Sequence, residues 1–91
     1  MQNMDINEMS DMLALSDAAR NTIVSVMDAN KDKGEPRRWR KLSLDQLAAH
    51  AIGHLNAFFK RHEPEDAENA LTRCAMIILK IEEERNEQEH N

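Results

Sequence analysis

Apolar residues recur along the chain at intervals of three and four positions, the spacing that places them on one face of an α-helix. Three such blocks predict helices over residues 6–29, 43–61 and 64–87. A basic segment over residues 30–42 separates the first two and is interpreted as a connector. The pattern therefore predicts three helices joined by one long link and one very short link.

The ends of the predicted helices carry residue types that start and stop helices. Gly34 and Pro36 break helical structure in the connector, and Pro64 suits the first position of the third helix. Two pairs match the capping-box pattern: Asp5 with Glu8, and Ser43 with Gln46. Because the link before Pro64 is so short, we expect helices two and three to form an antiparallel hairpin.

Each predicted helix has an apolar face. On the first helix it comprises Ile6, Met9, Leu13, Ile23, Val24 and Met27. On the second it comprises Leu44, Leu47, Ala48, Ala51, Leu55 and Phe58. On the third it comprises Ala67, Ala70, Leu71, Cys74, Ile77, Ile78 and Ile81. The faces of helices two and three are interpreted as core.

Two polar residues, Ser16 and Arg20, interrupt the apolar face of the first helix. The helix could break at Ser16, which would cap a second short helix. Alternatively, Arg20 could direct its charge into a pocket or an interface. A third interpretation is an exposed arginine whose aliphatic stem covers apolar surface.

The composition supports an all-α protein with one small domain over residues 1–91. Apolar residues make up 41% of the chain and charged residues 32%, with two glycines and two prolines, a balance that favours helix. A three-helix chain of this length buries a modest core alone. We therefore expect a homo-oligomeric helical bundle.

The cysteine count and the apolar runs indicate where the protein acts. A single cysteine, Cys74, excludes an intramolecular disulfide and a multi-cysteine zinc site, and its place on an apolar face predicts burial. The first residues lack the pattern of a secretion signal, and no apolar run is long enough to span a membrane. We expect a cytoplasmic protein without membrane contact.

Charge is distributed unevenly along the chain. The net charge is −5, yet residues 31–41 carry six basic and two acidic residues, a local charge of +4, and the remainder carries −9. General binding to nucleic acids is therefore not expected. A local anion site in the basic segment fits the pattern.

Two histidines four residues apart provide the candidate chemistry. On a helix, His50 and His54 lie on the same face. Together with Glu65 and Asp66 they form a predicted set of ligands for a divalent metal ion, and Glu68 is a further candidate carboxylate. An imidazole-rich site suits zinc or manganese, whereas a carboxylate-rich site suits magnesium. The alternative is a partly exposed flank whose histidines make ordinary hydrogen bonds.

Arginines surround the single tryptophan, Trp39. The ring could anchor the connector on the core, or it could stack on a base while neighbouring guanidinium groups bind phosphate. The predicted ligand-binding residues are Arg38, Trp39, Arg61 and Arg73.

Residues 39–79 resemble a family of small helical phage and prophage proteins described as dATP/dGTP diphosphohydrolase-like. The matching segments are RRWRKLSLDQL around Trp39, HAIGHLNAF from His50 to Phe58, and EDAENALTRCAMIIL from Glu65 to Leu79. The resemblance implies metal-dependent cleavage of purine deoxynucleoside triphosphates, with His54 and Asp66 as catalytic residues. The sequence departs from the family at its third helix, where Asp66 or Asn69 stands in place of histidine.

Three functional hypotheses follow. The first is a phage-type protein that binds purine (deoxy)nucleoside triphosphates and hydrolyses them with a divalent metal. The second is a non-catalytic protein that sequesters a nucleotide signal or inhibits a host protein. The third is a helical homo-oligomer that docks a protein partner through the apolar face of helix one, where methionines give an adaptable surface.

Overall fold

The computed structural model describes residues 4–34 and 37–90 and confirms the all-α fold. The elements are α1 (Ile6–Asn30), a 3-10 turn (Arg38–Lys41), α2 (Leu44–Arg61) and α3 (Pro64–His90). Within those residues no strand is present, and α2 and α3 pack as the predicted hairpin. Pro36, predicted to break the connector, lies outside the described residues.

Side-chain caps set the helix starts where the sequence predicts them. The Asp5 carboxylate accepts a hydrogen bond from the Glu8 amide at 2.8 Å. At the start of α2, Ser43 and Gln46 exchange both hydrogen bonds of a capping box, at 3.1 and 2.8 Å. His62 ends α2 in the left-handed conformation, with φ of 55°, so that the chain turns at once into α3.

The core lies between α2 and α3. Its buried apolar residues are Leu47 and Ala51 on α2 and Ala70 and Met76 on α3. Leu47 is completely buried. Two buried polar residues, Asp66 and Thr72, accompany this core, and the Thr72 hydroxyl donates to the Glu68 carbonyl within the helix at 2.9 Å. The hairpin is therefore the packed unit of the molecule.

Four residues predicted as core are exposed: Leu55 on α2, and Leu71, Cys74 and Ile78 on α3. The burial of Cys74 was therefore a wrong expectation. On α3 these residues lie at i, i+3 and i+7, on the side of the helix opposite Met76. Because the described chain supplies no further layer there, three of the seven residues of the predicted α3 stripe face outward.

α1 continues through Ser16 without the break that the sequence left open. None of its residues is buried, and Ile6, Met9, Leu13, Val24 and Met27 of its apolar face are exposed. α1 instead meets α3 through a neighbouring face that carries the half-buried residues Ala19, Thr22, Ile23 and Val26. Arg20 is exposed and pairs with Asp17 at 3.4 Å. Among the described residues, none of the helices combines the length and apolar content that a membrane crossing requires.

Candidate functional site

A cavity of about 580 Å³ opens where the end of α1, the connector and the middle of the α2–α3 hairpin meet. Its lining includes five residues singled out by the sequence: Arg38, Trp39, His50, His54 and Arg73. Residues from four separate segments therefore converge on one space. We call it the central cavity.

The lining of the central cavity is strongly basic. The cationic residues are Lys31, Lys33, Arg37, Arg38 and Arg73, and no aspartate or glutamate is present among the described lining residues. Lys31 is partly neutralised by Asp28, at 3.1 Å on the surface of α1. The cavity therefore concentrates positive charge in a protein whose net charge is negative.

Arg73 is the cation placed deepest in this wall. Its guanidinium is partly buried, and its contact within the described chain is a weak one, from Nη1 to the sulfur of Met76 at 3.7 Å. Burial lowers the pKa of Arg73 below its ordinary value, because desolvation disfavours the charged form. A partly desolvated guanidinium without a carboxylate is stabilised by any anion that enters the cavity.

Three contacts hold the connector against α3. Arg40 donates from Nη1 to both carboxylate oxygens of Glu83, at 2.7 and 2.9 Å. The Lys80 ammonium donates to the carbonyls of Leu42 and of Arg40, the latter at 3.3 Å. The 3-10 turn is thus attached to the hairpin, and its tryptophan is carried to the cavity wall.

Trp39 and Arg37 give this wall its shape. The Arg40 guanidinium lies 4.5 Å from the centre of the Trp39 ring, a cation–π contact that orients the ring. Arg37 precedes the turn in the left-handed conformation, with φ of 59°. A non-glycine residue pays about 1 kcal/mol or more for such backbone strain, which clusters at ligand sites. Trp39 is half-buried in a connector that Arg40 and Lys80 hold against α3, and it lines the cavity. Its stacking on a base stays a prediction.

His54 is poised to be neutral at neutral pH. Burial lowers the pKa of His54, and the positive charge of Arg73 adds to the effect. His50 acts in the same direction, while the Asp66 carboxylate opposes it. A neutral imidazole can donate or accept one hydrogen bond in the cavity, and it can take up a proton when an anion binds.

This pKa shift predicts a loss of stability in mild acid. The unfolded chain binds a proton at His54 near pH 6.5, whereas the native state resists protonation to lower pH. The contribution of His54 to the free energy of unfolding is therefore present above about pH 6.5, and it is lost as the pH falls towards the pKa of His54 in the native state. His54→Gln is expected to reduce the drop in melting temperature between about pH 7.5 and 5.5.

The control for this measurement is His50→Gln, which removes an exposed histidine from the same helix. Thermal melts monitored by circular dichroism at both pH values give the comparison. An acid-induced drop in the His54→Gln protein as large as in the parent would contradict the prediction.

The predicted metal ligands are divided between different places. His50 and His54 line the central cavity, whereas Glu65 and Glu68 line a smaller cavity of about 340 Å³ between the end of α1 and the start of α3. Within residues 4–34 and 37–90, no group of three or more histidine, cysteine, aspartate or glutamate side chains is arranged to hold a metal ion. The predicted set therefore does not converge.

Asp66 has a different partner. Arg61 donates from Nη2 to both of its carboxylate oxygens, at 2.7 and 2.9 Å, and the carboxylate side chain is 8% exposed. The predicted catalytic carboxylate and the predicted phosphate-binding Arg61 thus pair with each other across the α2–α3 turn, and neither lines the central cavity.

Several lining residues lay outside the predicted set. They are Lys31, Lys33 and Arg37 of the basic segment, Val26, Met27 and Asn30 at the end of α1, and Leu42, Asn69, Thr72 and Met76. The local charge of +4 over residues 31–41 pointed to the two lysines. Helical periodicity could not identify the others, because it does not say which part of α1 meets the hairpin.

Comparisons with known proteins returned no relative: no family model, curated protein or solved structure matches the chain. The resemblance to dATP/dGTP diphosphohydrolase-like proteins therefore rests on the segments quoted above.

Proposed function

We propose that the protein binds a phosphorylated small molecule of nucleotide size in the central cavity and holds it without turnover. Arg73 carries this proposal, because its partly buried guanidinium has no carboxylate partner within the described residues and faces a cavity lined by further cations. Charge-assisted hydrogen bonds from guanidinium groups to phosphate oxygens are stronger than hydrogen bonds between neutral groups and are often bidentate. Binding of phosphate would neutralise this concentration of charge.

The size and the apolar part of the lining support a nucleotide rather than free phosphate. A volume of about 580 Å³ lies within the range of small-molecule sites. Trp39, Leu42 and Met76 offer apolar surface beside the cations. An aromatic ring next to guanidinium groups suits a base attached to a phosphate.

Metal-dependent hydrolysis receives less support from the donor set. Asp66 is paired with Arg61, and Glu65 lines another cavity, which leaves His50 and His54 without the carboxylates predicted to complete a site. Zinc sites in proteins generally use three or four protein ligands, and magnesium sites use at least one carboxylate. His50 and His54 therefore act as ligand-contacting residues of the central cavity.

Calorimetric titration of the purified chain tests the proposal. dATP is expected to bind without added metal, and 2′-deoxyadenosine, which lacks phosphates, is expected to bind much more weakly. Tripolyphosphate, which lacks the base, separates the contribution of the cations from that of Trp39. Binding should weaken as salt is raised, because screening reduces the attraction between charges.

The nucleotide is recovered afterwards and analysed by chromatography, with and without manganese. Unchanged dATP is the expected result. The absence of any binding of dATP or tripolyphosphate would overturn the proposed function. Conversion of dATP to dAMP with manganese would show that the protein hydrolyses the nucleotide and would overturn binding without turnover.

A further inference from the structure

The exposed apolar face of α1 repeats with the period of a coiled coil. Its positions are 6, 9, 13, 16, 20, 23 and 27, which alternate steps of three and four residues over three heptads. We call these seven positions the α1 seam. Ile6 is 83% exposed, Leu13 66% and Met9 53%, so the first half of the seam lies open to solvent.

Within residues 4–34 and 37–90, no other element buries the first half of α1. Every residue from 4 to 18 is exposed, and the contact with α3 begins near Ala19. In proteins, most helical stability comes from packing of an apolar face. A helix that carries an apolar seam and buries none of its residues therefore lacks the contact that its sequence pattern serves.

The solvent-exposed surface area of the chain is larger than that of a compact monomer of the same mass. The chain exposes 7588 Å², whereas a compact monomer of its mass exposes about 5,400 Å². The radius of gyration is 15.6 Å, against about 12 Å expected for a compact domain of this length. The excess of about 2,000 Å² exceeds the roughly 800 Å² that each partner buries in a standard interface.

We propose that the α1 seam packs against the α1 seam of a second copy of this chain. A two-fold interface uses the same surface on both subunits, so the α1 seam of each copy can cover the α1 seam of the other. The alternating three and four spacing is the pattern that paired helices use, and the excess area is more than enough for the interface of a stable dimer. The central cavity is formed within one chain at the C-terminal end of α1, and it meets the seam at the last seam position, Met27.

The polar seam positions Ser16 and Arg20 fit this pairing. Polar residues at single seam positions of paired helices specify register and oligomeric state at a cost in stability. In the single chain, Arg20 has a loose surface contact with Asp17. An arginine in the middle of an apolar seam is otherwise unexplained by the packing of α1.

The test compares the mass of the full chain in solution with that of seam variants, by light scattering after size exclusion. The parent protein is expected to have twice the mass of one chain at micromolar concentration. Met9→Glu combined with Leu13→Glu places like charges on the seam and is expected to yield a monomer. Ala18→Glu, an equally exposed position of α1 away from the seam, is the matched control and should remain a dimer.

Two further variants make the test specific. Arg20→Leu completes the apolar seam and is expected to tighten association at least several-fold, measured by sedimentation equilibrium. Phe59→Glu, on the exposed outer side of α2, should leave the mass unchanged. A monomeric parent, an unaffected Met9→Glu/Leu13→Glu protein, weaker association with Arg20→Leu, or dissociation by Phe59→Glu would each overturn the pairing through α1. Circular dichroism confirms that each variant retains its helices.

Discussion

Replacing Arg73 with glutamine is expected to weaken nucleotide binding by about 10-fold to 100-fold while the helical fold is retained. A hydrogen bond to a charged group contributes about 1.5–3 kcal/mol, and each 1.4 kcal/mol corresponds to a tenfold change in affinity. Arg73 is the partly buried cation of the central cavity, so solvent screens its contact with a phosphate less than that of a surface lysine. Calorimetric titration with dATP measures the effect.

The fold should tolerate this change, because Arg73 makes no ion pair within the described residues. Its removal eliminates a desolvated charge, so the melting temperature is expected to stay level or rise slightly. The matched control is Arg85→Gln, an exposed arginine of the same helix that does not line the cavity. Equal losses of affinity in both variants would indicate a diffuse electrostatic effect and would contradict a specific role for Arg73.

The second large effect is expected from Leu47→Ala, which should destabilise the fold by about 2–5 kcal/mol. The Leu47 side chain is exposed to solvent in the unfolded chain and fully buried in the native hairpin. Its truncation to alanine therefore loses apolar burial and leaves a cavity. In a domain of this size, each 1 kcal/mol lowers the melting temperature by about 4–8 °C. We therefore expect a drop of about 10 °C or more, since the buried core is small.

Leu55→Ala provides the same substitution at an exposed position of the same helix, where the side chain is 52% exposed. Its effect should stay within about 0.5 kcal/mol, the range of ordinary surface changes. Chemical denaturation at a fixed protein concentration gives both values. A cost for Leu55→Ala that equals the cost for Leu47→Ala would mean that the hairpin does not bury the face assigned to it.

The three helices were predictable because the information about them is local. Caps such as Ser43 with Gln46, and Pro64 at the start of α3, act on neighbouring backbone groups, and α2 and α3 begin within one residue of the predicted positions. The observed helices end at Asn30, Arg61 and His90, within three residues of the predicted ends. The short link after Arg61 also determined the hairpin, because two helices joined so closely pack side by side.

The candidate site was predicted in part. The basic segment, Trp39 and the histidine pair pointed to residues that line one cavity. The predicted carboxylates Glu65 and Asp66 do not line this cavity, because the sequence does not show which ionic partners they meet in the fold. In the fold, the Asp66 carboxylate forms an ion pair with Arg61, which lies five residues earlier on the other side of the turn between the helices.

The sequence by itself determined the helices, their caps, the hairpin and the basic character of the connector, since each depends on contacts between residues near in the chain. The tertiary structure alone decided which faces are buried, which ionic partners form and where the cavity opens. Apolar periodicity states that a helix has an apolar face, but burial requires a neighbour to cover it. That is why Leu47 lies in the core, while Leu55, Leu71 and Ile78, equally apolar and in phase, face outward.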